Sequence, residues 1–300
     1  MEPSGILCVK KEEGMTSHDV VNRIRRLYST KKVGHTGTLD PLATGVLTVL
    51  VGRAAKAAEY LVADSKEYIA TMRLGLTTDT EDITGNTLSR SDNIPTQSEV
   101  QQAINSFVGD IMQIPPMYSA LKIDGQKLCD LARKGVSVER KPRPVTVFSI
   151  DMTPTDLPTD YILKVSCSSG TYIRTLCADI GSKLGCGAVM ATLCRSRAGD
   201  FSIDSAYTLG ELEAMSPEER ISLLMPTEKL FASLPEVRLP EFFEKLSRSG
   251  CEIYQKKIRT DFPVGERVRL CSAEGDFYAL GEVFEYEKGS AIKSIKMFDI

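Results

Sequence analysis

Gly34 to Leu47 reads Gly-His-Thr-Gly-Thr-Leu-Asp-Pro-Leu-Ala-Thr-Gly-Val-Leu, and this stretch limits the folding of the chain most tightly. Glycines at 34, 37 and 45 open backbone angles closed to other residues. Pro41 fixes its own φ and pushes Asp40 out of the helical region. Val46, Leu47, Val49, Leu50 and Val51 follow at once, a branched apolar run of the kind that buries as a strand. The expected result is a stiff loop that presents one carboxylate, Asp40, against a buried strand.

The surrounding composition narrows the partner. At 300 residues, with 42% hydrophobic and 26% charged residues, the chain has length for one large domain or a large and a small one. No apolar run approaches the roughly 20 residues of a membrane span. The opening Met-Glu-Pro-Ser-Gly lacks the basic and apolar regions of a signal peptide, which points to a cytoplasmic address. Eight cysteines lie scattered without a Cys-x-x-Cys pair, and only His18 and His35 are available beside them, so no metal is expected. Reduced core cysteines suit a cytosolic chain.

Net charge is −3, but the basic residues are grouped. Arg23, Arg25, Arg26, Lys31 and Lys32 lead into the Asp40 loop, and a second tract runs from Lys122 through Lys127, Arg133, Lys134, Arg140 and Lys141 to Arg143. A cationic tract abutting a candidate site points to an anionic polymer as substrate.

Periodicity places a short strand at Gly5 to Lys10. Thr16 or Ser17 can cap a helix with Val20, Val21, Ile24 and Leu27 on its apolar face. An Ala-rich helix is expected over Ala54 to Ala63, a strand over Lys66 to Leu74, a polar loop over Gly75 to Asn93 and a helix over Val100 to Phe107. After Pro115-Pro116 comes a short helix, Leu128 to Arg133. Pro144 to Met152 and Tyr161 to Ser168 read as an antiparallel pair, followed by a helix from about Tyr172 to Leu184 that Gly185 ends. Prolines at 226, 235 and 240 mark a boundary near residue 235. Beyond it the chain reads as short strands: Arg267 to Cys271, Phe277 to Glu285 and Ile292 to Met297, the first two joined by a turn at Gly275-Asp276.

Six ordered blocks carry a resemblance to one family. They are Lys10 to Val21 (with Lys11, Gly14, Thr16, Ser17 and His18), the Asp40 loop, Lys66-Glu67-Tyr68, Pro115 to Lys122, Ser168 to Leu176, and Leu184 to Ala188 leading to Leu193. Together they resemble the TruB family of tRNA pseudouridine synthases. Two positions depart from its pattern: Glu12 stands where the family usually has Pro, and Cys129 where an aromatic is common.

The resemblance implies an α+β fold: a mixed, mainly antiparallel sheet catalytic domain over 1–235 and a small β-rich PUA-like RNA-binding domain over 236–300. It implies isomerisation of uridine to pseudouridine in the T-loop of tRNA, position 55, in which the C–N bond to ribose breaks, the base turns and a C–C bond forms. Asp40 would be the nucleophile, attacking either C6 of the base or C1′ of the ribose. Arg174 would hold the carboxylate ionised through two hydrogen bonds. Tyr68 would stack on the uracil, its phenol serving better as stacker than as base. Tyr172 and Leu193 would line the uracil pocket. His35 would replace lost stacking around the flipped base, and Lys11 would lie against the substrate site. No cofactor, guide RNA or membrane is expected, and a monomer acting on the T-arm stem-loop is. The rival of another class is a non-catalytic tRNA-binding or RNA-folding protein on the same scaffold. A carboxylate-using glycosidase would need a paired acid that the sequence does not offer in the context of Asp40.

Overall fold

The computed structural model of the chain describes residues 2–60, 65–119, 121–123 and 125–298. The chain opens with β1 (Gly5–Lys11) and α1 (Ser17–Leu27). Thr16, rather than Ser17, caps α1: its hydroxyl accepts from the Asp19 amide at 3.1 Å while the Asp19 carboxylate accepts from the Thr16 amide at 2.9 Å. That leaves the Ser17 hydroxyl free for another task. β2 (Val33–Thr36) runs antiparallel to β3 (Thr44–Val51), so the glycine-rich stretch begins as a strand and becomes a loop only after Thr36. β3 is buried from Gly45 to Val51 because both its faces are covered. Leu47, Val49 and Val51 enter the main core, and Leu50 enters a second cluster on the opposite face.

The expected Ala-rich helix is a 3-10 helix, Gly52–Glu59, and its expected end at residues 61–63 lies outside the described residues. Ala54 and Ala57, both fully buried, share one side because residues three apart eclipse in this geometry. β4 (Lys66–Leu74) alternates as expected, burying Tyr68, Ala70, Met72 and Leu74 and exposing Ile69. The expected polar loop after it is instead a hairpin, β5 (Leu76–Thr78) and β6 (Thr87–Arg90), with α2 (Gln97–Asn105) beyond. The acids of its turn bond within the turn, while β6 is exposed. Asp79 accepts from Asn86, and Asp82 accepts from the Thr80 hydroxyl and the Thr84 amide.

β7 (Gly109–Gln113) has no counterpart among the elements expected from periodicity, and a two-residue hairpin follows, β8 (Lys122–Ile123) and β9 (Gln126–Lys127), before α3 (Leu128–Arg133). β10 (Arg143–Pro154), β11 (Asp160–Cys167) and α4 (Ile173–Leu184) fall where periodicity puts them, and Gly185 ends α4. β12 (Ala188–Ala198) is likewise not expected from the sequence, and β13 (Phe201–Ser202) folds back on it. β12 is central, and its first four residues are buried on both faces, which removes the alternation that would have marked its start. The main sheet has the order β1-β3-β12-β4-β11-β10-β7, and β3–β12 is its one parallel pair. α5 (Leu209–Ala214) and α6 (Pro217–Ser222) complete this body.

A second sheet, order β14-β16-β17-β18-β15, is built from β14 (Glu236–Arg238), β15 (Ile253–Tyr254), β16 (Arg267–Cys271), β17 (Phe277–Phe284) and β18 (Ala291–Met297). The strand-only expectation for this region misses α7 (Glu241–Arg248) and α8 (Gln255–Ile258). Phe243 and Leu246 of α7 pack on the sheet, while Glu241–Lys245 and Glu244–Arg248 pair along the helix. Ile6, Leu50, Ala54 and Ala57 from the first body meet Leu280 and Phe298 from the second, with Phe231 between them. The fold is therefore α+β with mainly antiparallel sheets, as expected.

Candidate active site

Four anchors fix the Asp40 loop. The Ser17 hydroxyl donates to the Leu39 carbonyl at 3.0 Å and accepts from the Leu39 amide at 2.9 Å. The Gly14 amide donates to the Pro41 carbonyl at 2.8 Å. Lys11 Nζ reaches the same carbonyl at 3.3 Å and those of Met15 and Glu12 at 2.6 and 2.9 Å. Arg195 Nη2 holds the Gly37 carbonyl at 3.1 Å. Positive φ at Gly37 (79°) and Gly45 (101°) lets the chain enter and leave the loop, and a Cβ on Gly45 would lie 2.2 Å from the Arg195 carbonyl oxygen. The stiff loop expected from glycine and proline is present, but much of its stiffness comes from side chains distant in sequence.

The loop forms one wall of a cavity of about 300 Å³, whose lining includes Asp40, Tyr68, Tyr172, Arg174 and Leu193 together with Lys66 and Ser119. Asp40 Oδ2 stands 2.9 Å from Arg174 Nε. Burial pushes the Asp40 carboxyl above the ordinary carboxylate value, and the Arg174 charge opposes that shift. The expected two-bond bridge is not what Arg174 makes. Its Nη1 donates to the Thr80 carbonyl at 3.0 Å and its Nη2 to the Tyr118 carbonyl at 2.7 Å, so the fork is shared among three segments. One of those segments is the β5–β6 turn, itself fixed to β12 by Ile83 to Met190 (2.9 Å) and Met190 to Glu81 (3.1 Å).

Tyr68 is almost fully buried, and burial pushes its phenol up. A phenol raised in this way is a poorer source of phenolate. Tyr172 caps α4 without a side-chain cap of its own. Gln113, buried on β7, supplies one instead, accepting from the Tyr172 amide at 2.8 Å and donating to its carbonyl at 3.0 Å. A second cavity of about 400 Å³, lined by Thr77, Glu81, Arg90 and Ser182 among others, has no aromatic plane against which a base would stack.

The family model described as "TruB family pseudouridylate synthase (N terminal domain)" matches residues 25–173, and that described as "tRNA pseudouridylate synthase B C-terminal domain" matches 174–232. A protein of Clostridium tetani named tRNA pseudouridine synthase B is 41% identical, the match covering 93% of this chain and 95% of that one. The chain belongs to the TruB family of pseudouridylate synthases. Another member, from Syntrophotalea carbinolica, is 48% identical over 81% of this chain and 80% of its own length. A chain in the crystal structure of a Cbf5-Nop10-Gar1 complex superposes with a TM-score of 0.74 at 26% identity, covering 98% of this chain and 84% of that one. Family membership makes the chain an enzyme, an isomerase of the pseudouridine synthase class.

Of the TruB-like positions, five share the cavity and two do not. His35 lies on β2, partly buried and outside the cavity lining, with its Nδ1 buried and unpartnered; burial lowers its pKa. Lys11, expected against substrate, is fully buried and uses its ammonium on the three carbonyls beneath the loop. Those bonds tie β1 to the loop. Lys66, on the cavity lining, and Gln113 and Arg195, which lie off it but bond residues that line it, are residues to which the sequence reading assigns no role. Lys66 donates to the Ser169 hydroxyl at 3.0 Å beside the cavity. Nothing local distinguishes these residues from ordinary strand polar residues. Glu228, Glu236 and Cys271 form the one cluster with metal-ligand spacing among the described residues, but Arg269 pairs with both of its carboxylates.

Proposed function

We propose that the chain isomerises uridine to pseudouridine in the T-loop of tRNA, at position 55, on a nucleotide turned out of its stack. Asp40 acts as the nucleophile: its carboxylate adds to the nucleotide, the N1–C1′ bond breaks, the uracil turns and its C5 bonds to C1′, the C5 proton is lost while N1 takes one up, and the carboxylate leaves. Arg174 holds Asp40 charged, Tyr68 stacks on the base, and Tyr172 and Leu193 close around it. The observation that carries this reading is the Asp40–Arg174 contact on a small cavity that presents a buried tyrosine ring. The reaction runs without cofactor or metal, on free tRNA in the cytoplasm, in a monomer that needs no guide RNA. Relatives named tRNA pseudouridine synthase B that match nearly end to end support the choice of tRNA.

Residues 1–235 act as the catalytic domain and 236–300 as a PUA-like RNA-binding domain, with Lys256, Lys257, Arg259, Arg267 and Lys293 as candidate phosphate contacts. Arg267 already pairs with Glu282 and lies over the Tyr60 ring, so it has the least charge to offer. His35 and the arginines of α1 approach the folded arm beside the flipped base. The deciding experiment incubates the pure protein with unmodified tRNA and with an isolated T-stem-loop, then maps pseudouridine. Modification confined to the T-loop uridine, lost in Asp40→Asn with RNA binding retained, is the expected result. Binding without modification would make the chain the RNA-folding protein of the rival reading.

A further inference from the structure

Among the described residues Arg195 is the largest fully buried side chain, at 1% exposure. A guanidinium does not shed its proton in proteins, so a full charge sits in the interior. Among the described residues it forms no ion pair with a carboxylate, and two of its nitrogens bond carbonyls: Nε donates to Val46 at 2.8 Å and Nη2 to Gly37 at 3.1 Å. Those two carbonyls lie on either side of Asp40, one at the start of the loop and one in the buried strand β3. Arg195 and Tyr68 are direct partners across β12 and β4, so their side chains leave the sheet on the same face, and the guanidinium is within hydrogen-bonding reach of the phenol oxygen. On its other side Arg195 faces Gly45 of β3, where the absence of a side chain lets the two backbones close.

An unpaired buried charge is costly, and an apolar side chain would pack there more cheaply. Its retention calls for a task that an apolar side chain cannot perform. We infer that Arg195 is a positioning residue that locks the Asp40 loop and the Tyr68 ring into one register through a single buried guanidinium. The inference rests on the assignment of Asp40 and Tyr68 to the reaction proposed above. Arg195 itself is sealed beneath the cavity and touches no substrate. It acts through the two groups that do. The planar fork reaches the two loop carbonyls and the phenol together, whereas an ammonium on a flexible stem offers no fixed geometry. The guanidinium also makes the environment of the Tyr68 oxygen positive, which gives the arrangement a spectroscopic signature separate from folding.

The test uses the full chain labelled with 3-fluorotyrosine, whose more acidic phenols titrate before alkali unfolds the protein, with the Tyr68 fluorine signal identified by its loss in Tyr68→Phe. Arg195→Gln should raise the Tyr68 titration midpoint by about one unit, as removal of an adjacent positive charge requires. Single-turnover conversion of tRNA should fall by at least about tenfold in Arg195→Gln and Arg195→Lys, with the dissociation constant for tRNA held within about threefold. In a Tyr68→Phe background the same replacements should cost less, because one of the groups they position has lost its contact. An unmoved Tyr68 titration, or penalties that simply add, would overturn the inference. If the Arg195 variants do not fold, Tyr68→Phe remains decisive: the nitrogen resonances of the Arg195 side chain must shift when the phenol is removed, and unchanged resonances would refute the contact. If Asp40→Asn keeps turning over, the reaction assignment falls, while the Tyr68 titration still tests Arg195 separately.

Discussion

Replacing Arg174 by lysine is expected to damage both stability and chemistry, and the structure sets the size of each. The side chain is buried and serves three acceptors: the Asp40 carboxylate, the Thr80 carbonyl and the Tyr118 carbonyl. An ammonium has no fork that spans three diverging segments, so one charge contact survives at most and two buried carbonyls lose their donor. Each unsatisfied group costs about 1–3 kcal/mol, or about 2–6 kcal/mol together. A loss of about 3 kcal/mol would lower the unfolding midpoint by roughly 6–12 °C. Chemistry falls further, because the Asp40 carboxyl, already pushed up by burial, loses its closest opposing charge. Turnover should drop by at least about a hundredfold, the scale for removing one electrostatic partner from a preorganised site. Calorimetry measures the first effect, and tritium release from tRNA labelled at C5 of uridine, beside filter binding, measures the second. A midpoint unchanged within a degree or so would show that the three segments do not depend on Arg174. Turnover within about tenfold of the original would show that Asp40 does not need its charge.

Asp40→Asn keeps size and hydrogen bonding but cannot attack as an anion, so tritium release should vanish while tRNA binding persists; substantial turnover would remove Asp40 from the mechanism. For the original enzyme, single-turnover rates should fall on acidification at a pH above the ordinary carboxylate range, because burial raises the Asp40 carboxyl; a rate flat through that range would contradict this. Burial holds the Lys11 ammonium down to about 8, so its charged form is less favoured in the folded chain than in the unfolded one. Between about pH 8 and 10.5 the unfolded chain binds more protons, and stability must rise with pH there by as much as about 3 kcal/mol relative to Lys11→Met, in urea titrations. Equal slopes for the two proteins would show that Lys11 is not buried as a cation. Gly45→Ala forces a methyl group to within 2.2 Å of the Arg195 carbonyl at a φ of 101°, and should cost about 3 kcal/mol or more by chemical denaturation; a loss under about 1 kcal/mol would mean that β3 and β12 separate freely.

Features governed by neighbours along the chain are legible in the sequence alone. The loop from Gly37 to Gly45 is set by glycine and proline backbone chemistry, and α1, β4, β11 and α4 by periodicity and end signals, each a property of a few consecutive residues. The resemblance to TruB adds Asp40, Tyr68, Tyr172, Arg174 and Leu193, which the fold gathers around one cavity. Tertiary structure decides where polar side chains spend their hydrogen bonds. Lys11 lies under the loop because burial in the first strand turns its ammonium towards carbonyls. Arg174 divides its fork because the β5–β6 turn and Tyr118 are brought to it by long-range pairing. The polar run from Gly75 to Asn93 resembles solvated loop because the acids of its turn bond within the turn, a pattern composition cannot distinguish from exposure. Arg195 gives no local signal, since a charged residue in a strand reads as surface until both neighbouring strands are known. A hydrogen-bond donor shows only its type in sequence, and the acceptor it meets belongs to the fold.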